Sequence, residues 1–309
     1  MGPSTEALPI LRVIVGPTAA GKSELALRLA QQVGASIVSA DSRQVYRDFD
    51  IGTSKPSSRD RSLIPHFGVG VAAPTDRFSA AQWAECANGW LHEIESTERL
   101  PLIVGGTGFY IRAFFEPLVS VPHLDPIRRD ALDAELASRS TSDLQRWCAM
   151  LDPPRSHLGR TQLLRAIETA LLTGERLSDM HRASSRAPRA TARYLLVDPG
   201  GALAGRIAQR VHDMVDAGWP SEVTRLARLI PEDAPAWSAT GYDVLRAAVT
   251  GEVTQDDAVH RIIVATRQYA KRQRTWFRHQ LGAAPVTKVD PTQADALAIA
   301  LAWWNGDDA

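Results

Sequence analysis

Along the first 120 residues, short apolar runs alternate with longer stretches of helical period. Residues 8–15 (LPILRVIV) are an apolar, β-branched run that stops at Gly16-Pro17, which predicts a buried strand. Residues 22–33 follow with Leu25, Leu29 and Val33 at helical spacing. Further strands are predicted over 35–40, ending at Asp41, and over 100–104, ending at Gly105-Gly106, with a helix-like stretch around 79–96 between them. A fourth over 193–197 ends at Asp198-Pro199. This alternation predicts an α/β fold, a parallel sheet flanked by helices. Ligands of such sheets gather at the carboxyl ends of the strands, where these Gly and Asp residues fall.

Between the third and fourth strands the pattern changes. Segments 126–150 and 160–182 carry helical periods separated by Asp152-Pro153-Pro154, and 182–193 is polar and basic. The expected organisation is an inserted all-helical domain over 122–190, within a core domain made of 1–121 and 191–309. From 202 to 280 the period is helical again, broken at Gly218-Trp219-Pro220, between Pro231 and Pro235, and at Gly251. Residues 305–309 are expected to fray.

Composition narrows the picture. The 309 residues include 35 Lys+Arg against 35 Asp+Glu and 44% hydrophobic positions. A chain of this length and make-up buries a core, which excludes whole-chain disorder. Its zero formal charge excludes attachment to nucleic acid by bulk charge, though not a local basic surface. Two cysteines, Cys86 and Cys148, make neither a disulfide framework nor metal-ligand spacing, which fits a reducing compartment. The N-terminus has no charged stretch followed by an apolar one, and no apolar run approaches the ~18 residues of a membrane span. A cytoplasmic protein without a membrane partner is expected.

Gly16, Pro17, Thr18, Ala19, Ala20, Gly21, Lys22 and Ser23 satisfy GxxxxGK[ST], with a strand running in and a helix running out. This is the phosphate loop of ATP-binding proteins. Its backbone N–H groups and the helix N-terminus suit phosphate oxygens, Lys22 adds a charge, and the Ser23 hydroxyl can ligate Mg²⁺. Such NTPases usually carry a second, metal-binding Asp after an apolar strand. The one run of that form here ends in Asp198-Pro199, which reads as a turn, and the third strand ends in Gly105-Gly106-Thr107-Gly108 with no carboxylate. Asp41 ends the strand beside the loop and should face the ligand. Asp also caps helices and turns, and that reading stays open from the residues alone. The dense polar run that follows, to Asp50-Ile51-Gly52-Thr53-Ser54-Lys55-Pro56, has the look of a binding loop.

Several blocks together resemble one family, the bacterial tRNA dimethylallyltransferases. They are GPTAAGKS at 16–23, DSRQVYRDFDIGTSKP at 41–56, Phe78-Ser79-Ala80, PLIVGGTGFYIRA at 101–113 and GERLSDMH at 174–181. RIAQRVHDMVDAGWPSEV at 206–223, GYDVL at 241–245 and TRQYAKRQRTWFR at 266–278 complete the set. The resemblance implies transfer of a dimethylallyl group from dimethylallyl diphosphate to the exocyclic amine of the adenosine 3′ of the anticodon (position 37). The phosphate loop would then hold a diphosphate leaving group with Mg²⁺, which fits the missing second carboxylate. By the same resemblance Asp41 matches the general base, Thr107 a residue near the reacting centre, and Arg210 an arginine that contacts the diphosphate. For the anticodon stem-loop of tRNA, Asp41, Ser42, Arg43, Gln44 and Thr107 match one contacting set. Arg129 and the run Gln162, Leu163, Leu164, Arg165 and Ala166 match others. The run departs from the usual pattern, because Leu163 stands where an Arg normally follows the Gln. A monomer is expected.

From Ala258 to Val289 no residue is acidic, while Lys271, Arg272, Arg274, Arg278 and three further bases interleave with Tyr269, Trp276 and Phe277. Bases with aromatics suit a nucleic acid with unstacked loop bases. On a helix Arg267, Lys271, Arg274 and Arg278 share one face. The opposing possibility is that the aromatics pack inward and that Arg274 or Arg278 forms an internal ion pair. Three rival functions share part of the signal. A P-loop small-molecule kinase would need a metal carboxylate, prenyl transfer to a free adenine nucleotide would not need 258–289, and a non-catalytic RNA binder would not need Lys22, Asp41 and Thr107.

Overall fold

A computed structural model describes residues 8–116, 124–183, 190–282 and 284–307. The chain divides into two compact units, Met1–Phe115 with Pro188–Ala309, and Glu116–Ala187.

The first unit is built on six parallel strands, β1 (Ile10–Val15), β2 (Ala35–Ser39), β3 (His66–Phe67), β4 (Leu100–Gly105), β5 (Thr191–Val197) and β6 (Val286–Val289). They lie in the order β3-β2-β4-β1-β5-β6, every pair parallel. This is the α/β fold expected from the alternating pattern. The two shortest strands, β3 and β6, carry no apolar run long enough to announce them. β5 begins at Thr191, so part of the stretch read as a basic loop is strand; its residues 184–189 lie outside the described residues. Helices α1 (Lys22–Val33), α2 (Ser58–Leu63), α3 (Ala80–Glu95) and α4 (Gly108–Phe115) follow the first strands. The side chains of Ile14, Leu102, Leu195 and Val197 are buried against Leu25 and Leu29 of α1 and form the centre of the core.

In the second unit, α5 (Pro126–Ala137), α6 (Thr141–Leu151), α7 (Arg160–Thr173) and α8 (Leu177–Ala183) pack around Leu136, Leu144, Cys148, Leu163, Ala166 and Ile167. Each predicted helical segment here is two helices. Ser140 caps α6 by accepting from Asp143 N, and Gly174 closes α7 in the left-handed region. The first unit then resumes with α9 (Leu203–Asp216), α10 (Trp219–Ala227), α11 (Tyr242–Val249), the 26-residue α12 (Gln255–Gln280) and α13 (Ala296–Asn305). No described helix is long and apolar enough to cross a membrane.

Candidate active site

The carboxyl ends of β1, β2 and β4 open on a cleft of about 410 Å³. Each strand delivers one part of it. β1 runs into the phosphate loop, whose Gly16 passes so close to β5 that a Cβ there would lie 2.2 Å from the Val197 carbonyl oxygen. Only glycine fits. Ala19 takes a positive φ of 60°, as a non-glycine residue rarely does, and the chain enters α1 at Lys22. Thr18, Lys22 and Ser23 line the cleft.

Lys22 is half-buried at the floor of the cleft, and its Nζ donates to the Pro17 carbonyl at 2.7 Å. Burial, and after it the nearby Arg210 charge, hold the ammonium down at about 8, with Asp41 pulling the other way. Arg210, from α9, is likewise lowered by burial and partly restored by Asp41. Its Nε donates to the Ser54 hydroxyl at 3.0 Å. Lys22 and Arg210 thus place two desolvated cations in one cleft, with Asp41 the carboxylate that acts on both and with Arg43 and Lys55 also in the lining, beside Glu24 and Asp60.

Asp41 lines the same cleft at the end of β2. Its Oδ1 accepts from Arg43 N at 2.8 Å and Gln44 N at 3.3 Å. The turn-capping geometry is thus present together with the site position, and Oδ2 keeps its acceptor capacity. From β4, the Thr107 hydroxyl accepts from Ser42 N at 3.0 Å, which ties the two strand ends together. Tyr269 of α12 lines the same cleft, and burial raises the phenol's pKa.

The remaining sequence-predicted contacts divide. Gln44 turns inward: its Oε1 accepts from the Ser39 hydroxyl, and its Nε2 donates to the Thr53 and Ser54 carbonyls. Arg43 reaches outward to the Ser238 hydroxyl at 2.6 Å. In the helical unit, Arg129 and Arg165 both bond the buried carboxylate of Glu168. Gln162 caps its own helix by accepting from Gly159 N. Leu163 and Ala166 are fully buried in that unit's core. This corrects the reading of 162–166 as a continuous contact run, because neither of those two side chains can meet a nucleic acid. Leu164 and Arg165 are half-buried and Gln162 is exposed.

On α12 the stripe also divides. Arg274 forms an ion pair with Asp198 and donates to the Gly200 carbonyl at 2.6 Å, and Arg267 donates to the Ala204 carbonyl. Arg274 is therefore the internal ion pair held open as an alternative, and its charge is engaged inside the fold. Lys271, Arg272 and Arg278 are exposed. Phe277 is in the core.

Two buried polar residues beside the site escaped the sequence reading. Gln273 is only 7% exposed although it lies among exposed bases. Its signal was present: it falls on the buried stripe Ile262, Ala270, Gln273, Phe277, a polar residue in an apolar helical period. Glu222 is the other. Its Oε2 accepts from Asp50 N and Ile51 N, and Oε1 accepts from the Tyr242 hydroxyl, which fixes the loop that carries Ser54.

A phosphate loop at a strand end, sharing its cleft with Asp41 and with the hydroxyl-bearing turn of Thr107, defines a P-loop α/β protein. A family profile described as IPP transferase matches residues 44–280, and one described as isopentenyl transferase matches 9–62. A tRNA dimethylallyltransferase of Cyanothece sp. is 37% identical over 308 residues, covering 98% of this chain and 95% of the relative. That of Myxococcus xanthus is 39% identical, covering 92% and 94%. Among solved structures, the full-length tRNA isopentenylpyrophosphate transferase of Bacillus halodurans superposes with a TM-score of 0.67 at 28% identity, over 97% of this chain and 95% of that one. A eukaryotic dimethylallyltransferase acting on tRNA shares the fold, with a TM-score of 0.80 at 23% identity over 97% and 79%. The chain belongs to the IPP transferase family and is a prenyltransferase.

Proposed function

We propose that this protein transfers a dimethylallyl group from dimethylallyl diphosphate to the N6 amine of the adenosine 3′ of the anticodon, position 37, in tRNA. The observation that carries this reading is the meeting of Lys22, Arg210 and Asp41 in one cleft at the strand ends. The relatives' names supply the prenyl and tRNA chemistry.

In the reaction the amine nitrogen forms a bond to C1 of the prenyl group while the C1–O bond to diphosphate breaks. The amine proton goes to a carboxylate oxygen of Asp41, and diphosphate leaves with the bonding pair. Charge builds on the departing oxygens, where the loop's N–H groups, Lys22 and Arg210 stabilise it. The adenine must leave the anticodon-loop stack to reach this position. Thr107, whose hydroxyl accepts from Ser42 N and donates to the Ser42 hydroxyl, lies at the edge of Asp41's turn and orients the incoming base. The residues present also suit Mg²⁺. The Ser23 hydroxyl heads α1 at the phosphate loop, and among the described residues no cluster of three or more His, Cys, Asp or Glu forms an all-protein cage. One hydroxyl with phosphate oxygens and water is a donor set this hard cation accepts. When bound it would neutralise charge on the diphosphate.

The helical insertion over 122–190 is a separate RNA-handling domain on this reading. The contacts with the stem-loop fall to Ser42, Arg43, Gln162, Leu164, Arg165, Lys271, Arg272 and Arg278. The enzyme works as a cytoplasmic monomer, with Cys86 and Cys148 as free thiols. The test is a transfer assay with unmodified tRNA, dimethylallyl diphosphate and Mg²⁺ but no ATP. Transfer under those conditions is expected. ATP hydrolysis without prenyl transfer would overturn the reading in favour of a kinase.

A further inference from the structure

We propose that Gln273 is a positioning residue: its side-chain amide sets the distance between the phosphate loop and the turn that carries Thr107. The two turns descend from neighbouring strands, β1 and β4, and each belongs to a different reactant. On the function proposed above, the loop holds the leaving group and the Thr107 turn addresses the incoming adenine. Their spacing is therefore the distance over which the new bond must form.

Gln273 spans that gap. Its Oε1 accepts from Thr18 N in the phosphate loop at 2.8 Å, and its Nε2 donates to the Gly106 carbonyl in the Thr107 turn at 2.8 Å. Both ends of one planar amide are satisfied by backbone, so neither turn can shift without breaking a buried bond. Thr18 N, one of the loop's amides, is thereby held toward Gln273. The turn is shaped to admit the bridge: a Cβ on Gly106 would lie 2.5 Å from Nε2, and one on Gly108 would lie 2.2 Å from the Trp276 ring. Two glycines two residues apart thus let the side chains of α12 lie directly on the Thr107 turn. An ordinary core glutamine would not join these two turns in particular.

Misplacing reacting groups by about 1 Å can cost about 10²-fold in rate while leaving each substrate's own contacts intact. The inference therefore concerns turnover rather than affinity. Gln273→Glu keeps the acceptor for Thr18 N and loses the donor to Gly106, while Gln273→Leu loses both. Gly106→Ala disturbs the same bridge from the other side. Affinity for inorganic diphosphate and for tRNA should change by less than roughly threefold in Gln273→Leu, with single-turnover transfer falling about 10²-fold. Gln273→Glu should fall in between. In the Gly106→Ala background, Gln273→Leu should add little further loss, because both act on one bridge.

Three results would overturn the proposal: unchanged single-turnover transfer in a Gln273 variant, a loss confined to the affinity of one substrate, or independent, multiplicative losses in the double variant. Thermal melting of each variant is measured alongside. If Gln273→Leu does not fold, Gln273→Glu and Gly106→Ala carry the same test. Wild-type protein run in parallel separates the two claims. Absence of transfer in the wild type defeats the proposed function, whereas normal transfer in a folded Gln273 variant defeats only this inference.

Discussion

The strand-end cluster of the first unit and helix α7 of the second both carry short motifs that the family resemblance marks as functional, yet the structure treats them differently. At the strand ends, Lys22, Asp41 and Thr107 come from three separate turns, and every turn opens on the carboxyl edge of the sheet. A motif on such a turn keeps its neighbours together because the chain reverses there. On α7 the residues 162–166 advance about 100° each, so their side chains point in different directions. Leu163 and Ala166 go to the core with Ile167, and Gln162 goes to solvent. A loop motif transfers between relatives as a block, whereas a helix motif transfers only by its exposed face.

The sharpest contrast comes from removing the carboxylate. Asp41→Ala should lower turnover by about 10²- to 10⁴-fold, the usual contribution of a positioned base, with tRNA affinity nearly unchanged. A tenfold loss of binding with turnover intact would leave Asp41 as the cap of the Arg43 and Gln44 amides only. On the helix the expected effect is of another kind. Leu163→Ala should destabilise the helical unit by about 2–5 kcal/mol in denaturant unfolding, as large-to-small core changes do. Gln162→Ala should instead weaken tRNA binding with a much smaller stability loss. A Leu163→Ala protein that melts normally but binds tRNA poorly would break the comparison.

Lys22→Ala should cost on the order of 10²-fold in turnover through lost charge stabilisation of the leaving group. The ammonium also makes the site pH-dependent. Its folded value, about 8, lies below the ordinary 10.5, so between those values the unfolded chain binds more protons and stability rises with pH. Diphosphate affinity should move the opposite way, falling as pH rises above about 8. Titration calorimetry in buffers of different ionisation heat should show proton uptake on binding near that pH. Affinity that is flat from pH 7 to pH 10 would contradict this (a window of about 3 units around the shifted group).

The smallest effects separate the bases of α12. Lys271→Ala with Arg278→Ala should flatten the salt dependence of tRNA binding by roughly 1 to 1.5 log units, about 0.7 per neutralised charge, at an unchanged melting temperature. Arg274→Ala should do the reverse, because its partners are Asp198 and the Gly200 carbonyl. A flattened slope in Arg274→Ala would return that residue to the RNA surface.

The sheet and the phosphate loop were legible because buried parallel strands read as apolar runs and the loop has a fixed spacing. Helix α1 matches its predicted span, 22–33. Strands β3 and β6 were not legible, since two and four residues give no period to read. Asp41 and Lys22 share the cleft although β4 lies between β2 and β1, so the adjacency of strands expected from the sequence is corrected: both strands end on the same carboxyl edge, with the Thr107 turn between them. The bridge through Gln273 was not legible, because it joins residues 255 positions apart and depends on which face of α12 lies on the sheet. Arg274 was misplaced for the same reason: charge periodicity groups it with Lys271 and Arg278, while its partner Asp198 lies at the end of β5.

The RNA that leaves the cleft carries the most direct record of prenyl transfer. An unmodified anticodon stem-loop is incubated with dimethylallyl diphosphate, Mg²⁺ and the enzyme, then digested to nucleosides for mass spectrometry. One adenosine, the one 3′ of the anticodon, should gain about 68 daltons, the net addition of one five-carbon prenyl group. Unmodified adenosine at that position, together with hydrolysis of added ATP, would contradict it.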